Sequence, residues 1–523
     1  MKPMDFIKAR GREITAGGKP LLLRGFGLGG WLLPEGYMWK FFTLCDRPRR
    51  MEALICDLCG ADYAAYFWQR YRDTYITRED IAWIASEGFN SIRLPLNARH
   101  MTSEETWQRI DDCVSWCREY GLYLILDMHA APGGQTGQNI DDSENDQPEL
   151  FQNRSFQEDL ISLWRRIAAR YRDEKTIAGY DLLNEPLPEF FSGYNDRVLP
   201  LYREITKAIR EVDPHHMIIV EGVHWATDFS IFDPLRENPL DANCMLQFHR
   251  YWSPPDQAGI QTFLNWREKL GLPLFMGEGG ENNLDWYKAA FALYERHDIS
   301  WSFWAYKKMD CHNSPVSFPM PPGWPLLVKY LEGGPKPGTQ EARRVFDGLL
   351  EALTQGIRRP DVVRALKREA PITFQAEHFD RGYSALKRTP GADFRMGEPL
   401  SILFHSGKSG VPNYQRMGGE PQPEDERMYV LLRQGERAVY RYVSGAQPAG
   451  RLRLRLRGSG TLLIKIKTGE LQEAPGHAEE KSLSTEDWAD VHISMDSGRG
   501  QTHSALELDC VSGAFDLDEI EIM

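Results

Sequence analysis

Along the first 310 positions, apolar residues recur in short β-rich runs, each followed by a polar loop and an amphipathic helical stretch. The runs are LLLRGFG, FNSIRLPLN, LYLILDMHA, IAGYDLLNE, HMIIVEGVH, CMLQFHRYW, LPLFMGEGG and ISWSFWAYK. Between them, RSFQEDLISLWRRIAARYRD and NDRVLPLYREITKAIREVD carry apolar residues at three- and four-residue spacing, the signature of a helix with one buried face. Alternating strands and helices build βαβ units on a parallel sheet, and eight such units close a (β/α)8 TIM barrel. A doubly wound open sheet is the alternative, and it demands a phosphate-binding first turn. After RRPDVVRALKREAP the helical period stops near 370 and alternation of period two takes over. TFQAEHF, YVLLRQ, AVYRYV, RLRLRLRG, TLLIKIKT, DVHISMD, SALELD and DLDEIEI are the candidate strands. Short strands with Gly and Pro between them predict a β-sandwich, so the expected organisation is a barrel over 1–368 and an all-β domain over 369–523. Arg451, Arg453, Arg455 and Arg457 share one face of their strand, expected to be solvated.

The first run contains a possible phosphate cradle, since Gly25, Gly27 and Gly30 in LLLRGFGLGG satisfy G-x-G-x-x-G. The chain continues as WLLPEGYMW, with Pro34 and Gly36 and no capping residue opening a helical period. Asp46 is the nearest candidate acid, and it lies in CDRPRR, which is no strand end. The glycines are therefore expected to let the backbone turn tightly beside Trp31 rather than to face a dinucleotide. A net charge of −13 argues against nucleic acid or an anionic membrane as partner. MKPMDFIKAR lacks a secretory core and no apolar run reaches the ~18 residues of a membrane span, which predicts a cytoplasmic protein unless a leader was removed. Cys56 with Cys59, and Cys113 with Cys117, lie in helix-like context, where buried thiols are expected rather than zinc ligands. His215 and His216 are expected in a surface turn, and the acidic IDDSENDQPE at 140–149 in a solvated loop.

In such a barrel, chemistry gathers where the strands end at their C-terminal side. The polar residues there are Arg93, His129, Asn184 with Glu185, His224 with Trp225, His249 with Tyr251, Glu278, and Trp304. Glu185 and Glu278 each close an apolar strand, where a bare carboxylate is costly unless hydrogen-bonded or used. Two of them, with Arg, His, Asn and Tyr nearby, predict paired acids with separate roles.

The order of SIRLP at 91–95, LDMHAAPGGQ at 126–135, LNEP at 183–186, FHRYW at 248–252, MGEGG at 276–280 and WSFWAY at 301–306 resembles glycoside hydrolase family 5 over about residues 10–355. The resemblance implies a retaining β-glycosidase with Glu185 as acid/base and Glu278 as nucleophile, needing no cofactor. It implies that Arg93 and Tyr251 keep Glu278 ionised, that His249 bonds near Glu185, and that Asn184 and His129 meet sugar hydroxyls. Retention requires carboxyl groups about 5–5.5 Å apart. Trp304 is expected to floor a subsite, and Trp31, Trp225, Trp252 and Trp286 to lie at or beside the rim. The expected partner is a β-linked oligosaccharide or polysaccharide, glucosyl first, with β-mannosides or other β-hexosides as alternatives. A non-catalytic carbohydrate-binding protein is the alternative from another class. FQAEHF, GERAVYRYV, DWADVHISM and AFDLDEIEI together resemble the jelly-roll carbohydrate-binding modules of families 6 and 35. That likeness implies a structural calcium (Ca2+) held by Glu377 and Asp518.

Overall fold

The computed structural model describes residues 4–445, 450–469, 477–494 and 503–523. Every one of the eight N-terminal runs contains a strand: β1 Arg24–Gly27, β2 Ser91–Asn97, β3 Tyr123–Ala130, β4 Ile177–Asp181, β5 Met217–Glu221, β6 Cys244–His249, β7 Leu274–Gly280 and β8 Ser300–Trp304. They pair in parallel, neighbour to neighbour, and β8 returns to β1 to close the barrel. From β2 to β8 every strand residue is buried, which is why these runs read as nearly continuous apolar segments. A three-stranded meander, Ile7–Arg10, Glu13–Ala16 and Lys19–Leu21, covers the N-terminal end. Its Ile7 and Ile14 pack on Ile125, Met217, Ile219, Met245 and Phe275, leaving the opposite end for chemistry.

The glycine run around β1 is a packing device. A Cβ on Gly25 would lie 1.8 Å from the Ser91 carbonyl oxygen, and one on Gly27 or Gly29 would strike the Trp304 ring at 2.5 or 2.6 Å. The backbone has to be bare because β2 and the indole of Trp304 press against it. Trp31, expected beside this turn, is 1% exposed, stacks on Trp116 and donates its N–H to the Arg72 carbonyl at 2.8 Å.

The acidic insertion after β3 is solvated only in part: Glu144–Gln147 are exposed as expected, whereas Asp141, Asp142 and Ser143 are buried and clamped. Asp141 accepts from the Thr136 and Gly137 amides and the Thr136 hydroxyl, and Asp142 accepts from the Arg49 amide, Asn97 and Arg99. Arg47 and Arg50, from the segment after β1, both reach Asp46 and Asp146. Arginine forks thus take up the like charges that would otherwise repel one another. His216 is likewise buried, bonded to Asp213 at 2.5 Å and facing the Glu174 carbonyl at 2.9 Å. Of the cysteines, only Cys56 is exposed, and all eight are free thiols.

The chain forms two compact units, the first comprising Met1–Tyr251, Phe263–Gly280 and Asp298–Arg359, the second Trp252–Thr262, Glu281–His297 and Pro360–Met523. Beyond residue 370 the second unit is all-β, with strands β9 Ile372–Gln375, β10 Arg381–Tyr383, β11 Ser401–Phe404, β12 Met428–Arg433, β13 Arg437–Val443, β14 Arg451–Thr468, β15 His477–Ser494 and β16 His503–Ile522. RLRLRLRG and TLLIKIKT are one strand, as are SALELD and DLDEIEI, because the ladder between β14 and β16 runs unbroken through the glycines between them. Its register shifts lie only on either side, between Arg455 and Leu456 and between Thr461 and Leu462. Gly458 and Gly460 sit at φ +125° and +151° while β14 stays paired with β16 on both sides of them. The leucines of β14 are buried as alternation requires. Its arginines are ion-paired across the sheet, Arg453 with Glu519 and Glu521, Arg455 with Asp518 and Arg457 with Asp516.

This pairing removes the calcium ligands expected from sequence. Asp518 is fully buried with Arg427 at 3.1 Å, Arg455 at 3.0 Å and His405 at 2.9 Å, so its charge is already met by cations. Burial pushes the Glu377 carboxyl well above its usual range, helped by the charge of Asp518, which favours the neutral acid. Neither side chain is suited to a hard dication. Chelation with excess EDTA is expected to leave the thermal midpoint unchanged to within about 1 °C; a drop of several degrees, restored by calcium, would refute this. Gly25→Ala is expected to destabilise the barrel by at least ~3 kcal/mol in urea unfolding, and Gly27→Ala by ~1–3 kcal/mol, since the indole can yield more than a backbone carbonyl. Equal and small losses would contradict the packing account.

Candidate active site

At the C-terminal end of the barrel, strand ends converge on the guanidinium of Arg93, which β2 holds wholly out of solvent. Its Nε donates to Asp181 Oδ2 at 2.9 Å and its Nη1 to Glu278 Oε1 at 2.5 Å. Nη2 donates to Asn184 Oδ1 at 2.7 Å and to Glu221 Oε1 at 3.1 Å, and lies 3.2 Å from Asp127 Oδ1. Burial opposes the charge on Arg93, but Asp127, Asp181, Glu278 and Glu221 around it hold the cation firmly.

Glu278 is aimed inward by an irregularity in β7. The register to β6 shifts between Met276 and Glu278, the effect of a β-bulge that re-aims one side chain. Gly277 makes room for this, because a Cβ there would meet the Gln247 side chain at 2.2 Å. The Tyr251 hydroxyl donates to Glu278 Oε2 at 3.0 Å, His249 Nδ1 is 3.6 Å away and His129 Nδ1 3.9 Å. Burial raises the carboxyl, but the charges of His249 and Arg93, then His129, outweigh it and hold Glu278 below the ordinary value.

Glu185 is held differently. It lies past the end of β4 with φ +42°, a left-handed conformation that non-glycine residues seldom adopt. Its amide donates to Glu221 Oε2 at 2.7 Å and its Oε1 meets His249 Nδ1 at 2.7 Å. Burial raises its carboxyl above the ordinary value; His249 works against this, and the charges of Glu278 and Glu221 add to it. The two glutamates are thus pushed in opposite directions. One carboxylate oxygen of each, with a ring nitrogen of His249, lies within 4.8 Å of the others.

His129 donates or accepts at Asp127 Oδ2 at 2.7 Å and stacks parallel to the Trp304 ring at 5.2 Å. Trp304 is fixed at its other end by its N–H to the half-buried Tyr37 hydroxyl at 3.0 Å. Arg93, His129, Asn184, Glu185, His249, Tyr251, Glu278 and Trp304 therefore form one connected group. Trp31 and Trp286 are packed inside the protein, and the Trp252 N–H is tied to the Glu281 carbonyl. Trp225 is part-exposed in a left-handed turn, with His224, Trp225 and Ala226 at φ +55°, +59° and +57°. The turn is anchored by the His224 amide on the Leu187 carbonyl at 2.8 Å.

Sequence reasoning missed Asp127, Asp181, Glu221, Gln247 and Tyr37. Strand parity could have found Glu221 and Gln247. Met217 and Ile219 of β5 and Met245 of β6 face the barrel interior, so counting in twos places Glu221, Gln247 and His249 on the same inward face. Asp127, His129 and Glu278 offer ligand atoms close enough for a metal, as do Glu185, His249 and Glu278. Both sets include Glu278, whose Oε1 already carries the Arg93 guanidinium, so a dication there would face a fixed positive charge.

Residues 59–310 match the family of cellulases, glycosyl hydrolase family 5. A β-xylosidase of Phanerodontia chrysosporium is 28% identical over 345 residues, spanning 58% of this chain and 71% of its own. Endoglucanase C of Acetivibrio thermocellus is 27% identical over 310 residues, 47% of this chain and 88% of its own. Among solved structures, an endogalactoceramidase aligns over 98% of this chain and 99% of its own at 14% identity, with a TM-score of 0.47. Among the described residues no helix is long and apolar enough to cross a membrane. The segment that supplies Arg93, Asn184, Glu185 and Glu278 is thus a domain that matches the cellulases of glycosyl hydrolase family 5, and the protein is a glycoside hydrolase.

Proposed function

We propose that the protein hydrolyses β-glycosidic bonds of β-glucans or β-gluco-oligosaccharides by double displacement with retention. The observation that carries this is the approach of Glu185 and Glu278 carboxylate oxygens to within 4.8 Å. So close an approach favours direct attack on the anomeric carbon over the wider arrangement of an inverting enzyme, whose carboxyl groups stand ~6.5–9.5 Å apart. Glu278, held ionised by Arg93 and Tyr251, attacks the anomeric carbon; Glu185 gives its proton to the departing oxygen. The glycosidic bond breaks and a glycosyl ester forms on Glu278. Glu185, now a carboxylate, takes a proton from water, the hydroxyl displaces Glu278, and both glutamates return to their starting states. No cofactor takes part. Asn184 and His129 are assigned to sugar hydroxyls and Trp304 to the subsite floor. The relatives' names, an endoglucanase and a β-xylosidase, favour β-linked sugars with equatorial hydroxyls; β-mannosides and other β-hexosides are the competing substrates.

We also propose that residues 369–523 form a carbohydrate-binding-module-like domain. Its support is a part-exposed aromatic cluster in which the Trp488 ring lies 4.9 Å from His405 and 5.8 Å from Tyr429.

Glu278→Gln is expected to lower turnover of aryl β-glycosides by at least ~10³-fold, and a 2-fluoro glycoside should add its glycosyl mass to Glu278 in the wild type. Glu185→Ala should slow substrates with poor leaving groups far more than activated ones. The rate–pH profile should be a broad bell. Activity falls at low pH as Glu278, lowered from its usual value, takes a proton, and at high pH as Glu185, raised from its own, loses one. Labelling at another residue, or an inverted product anomer, would refute the reading. For the second domain, Trp488→Ala should abolish retardation in gels containing soluble β-glucan, whereas unchanged migration of both proteins would dismiss the binding role.

A further inference from the structure

We propose that Glu221 is a positioning residue of this reaction, a buried carboxylate that anchors the backbone of Glu185 and fixes the two side chains, His249 and Arg93, that grip the glutamate pair. The inference rests on the assignment of Glu185 and Glu278 as the reacting acids. Glu221 ends β5, a strand that contributes none of the reacting groups, and it is wholly buried, so it touches no substrate.

Both of its oxygens are committed. Oε2 accepts the Glu185 amide at 2.7 Å, the N–H released where the β4 ladder stops. This bond holds Glu185 at φ +42°, a left-handed conformation that an unsupported glutamate would leave for a commoner one. Oε1 accepts from Arg93 Nη2 at 3.1 Å and from Gln247 Nε2, and faces His249 Nε2 at 3.3 Å.

The groups facing His249 are Glu185 at Nδ1, Glu221 at Nε2, Glu278 at 3.6 Å and the neutral Gln247 amide, while Arg93 lies behind both Glu221 and Glu278. A neutral imidazole has one N–H and can serve one acceptor. With the Glu221 carboxylate 3.3 Å from Nε2 and that of Glu278 3.6 Å from Nδ1, beside the Glu185 oxygen at 2.7 Å, His249 is held as the imidazolium. Burial disfavours this cation, but Glu221, first among the neighbouring charges, followed by Glu278, drives the imidazole pKa well above its usual value. The imidazolium in turn is the strongest influence keeping Glu278 ionised. Glu221 therefore acts on the nucleophile through His249 and Arg93, and on the acid/base through its amide.

Glu221→Gln preserves shape and removes the charge. In protein labelled with ¹⁵N-histidine, the His249 signals, identified by their loss in His249→Asn, should be those of an imidazolium across about pH 5–8 in the wild type and should titrate within that range in the variant. Its kcat on aryl β-glycosides should fall ~10–100-fold, as expected for losing charge-assisted bonds, with KM changed by less than ~3-fold. Glu221→Asp retains the charge with shorter reach, so His249 should remain charged while kcat lies between the two. It also provides the test if the Gln variant does not fold. An unaltered His249 titration in Glu221→Gln, an effect confined to KM, or a neutral His249 in Glu221→Asp would overturn the inference. An active Glu278→Gln would instead overturn the catalytic assignment, because the titration requires no turnover.

Discussion

The burial of one guanidinium among carboxylates organises this active site. Asp127, Asp181, Glu221 and Glu278 bring four carboxyl groups around a single permanent cation, Arg93, and Glu185 adds a fifth beside His249, the second positive centre. Five negative charges in so dry a space would repel one another by far more than two cations relieve, so protons must be retained. Asp181 is one place where they stay: burial, then the charge of Glu221, raises its carboxyl well above the usual range. The planar fork of arginine serves Asp181, Glu278, Asn184 and Glu221 in fixed directions, which the point charge of lysine could not reproduce.

Two distortions complete the arrangement. A regular strand would send Glu278 along the barrel wall, and the bulge at Gly277 turns it in. A regular loop exit would let Glu185 relax, and the Glu221 carboxylate keeps it in a left-handed conformation. Residues held in sparsely populated conformations persist only where their surroundings over-determine them, and here the reacting pair is what the surroundings determine. Trp304, sandwiched between the bare backbone of Gly27 and the His129 imidazole, is fixed by the same logic on the third side.

Much of this is legible in the sequence, for reasons that differ by element. The barrel strands are buried on both faces, so each appears as an apolar run with a polar end, and the polar ends name most of the residues that meet around Arg93. Glu221 and Asp181 escape because, although they close their strands, they carry no motif of their own and the runs DLLNE and EGVH continue past them to more conspicuous polar residues. Trp31 is misplaced by its sequence because an indole near a rim looks the same there whether its face is covered by Trp116 or open. The acidic loop looks solvated because the arginines that neutralise it lie about 95 residues earlier. In the all-β region, GSG separates two candidate strands in the sequence, whereas the ladder to β16 passes through it and keeps one long strand intact.

That long strand has a further consequence. β16 pairs through Val443–Arg437 with β13, through Arg433–Val430 with β12, through Gln375–Ile372 with β9, and along nearly its whole length with β14. Four of the seven ladders among the described strands of the region therefore need residues 503–522. The barrel strands all lie before residue 305, so the ladders of the cylinder are complete in sequence before those four can form. On the edge of β14 that β16 will take, the alternation of RLRLRLRG, with a positive charge at every second position, deters pairing with its own kind.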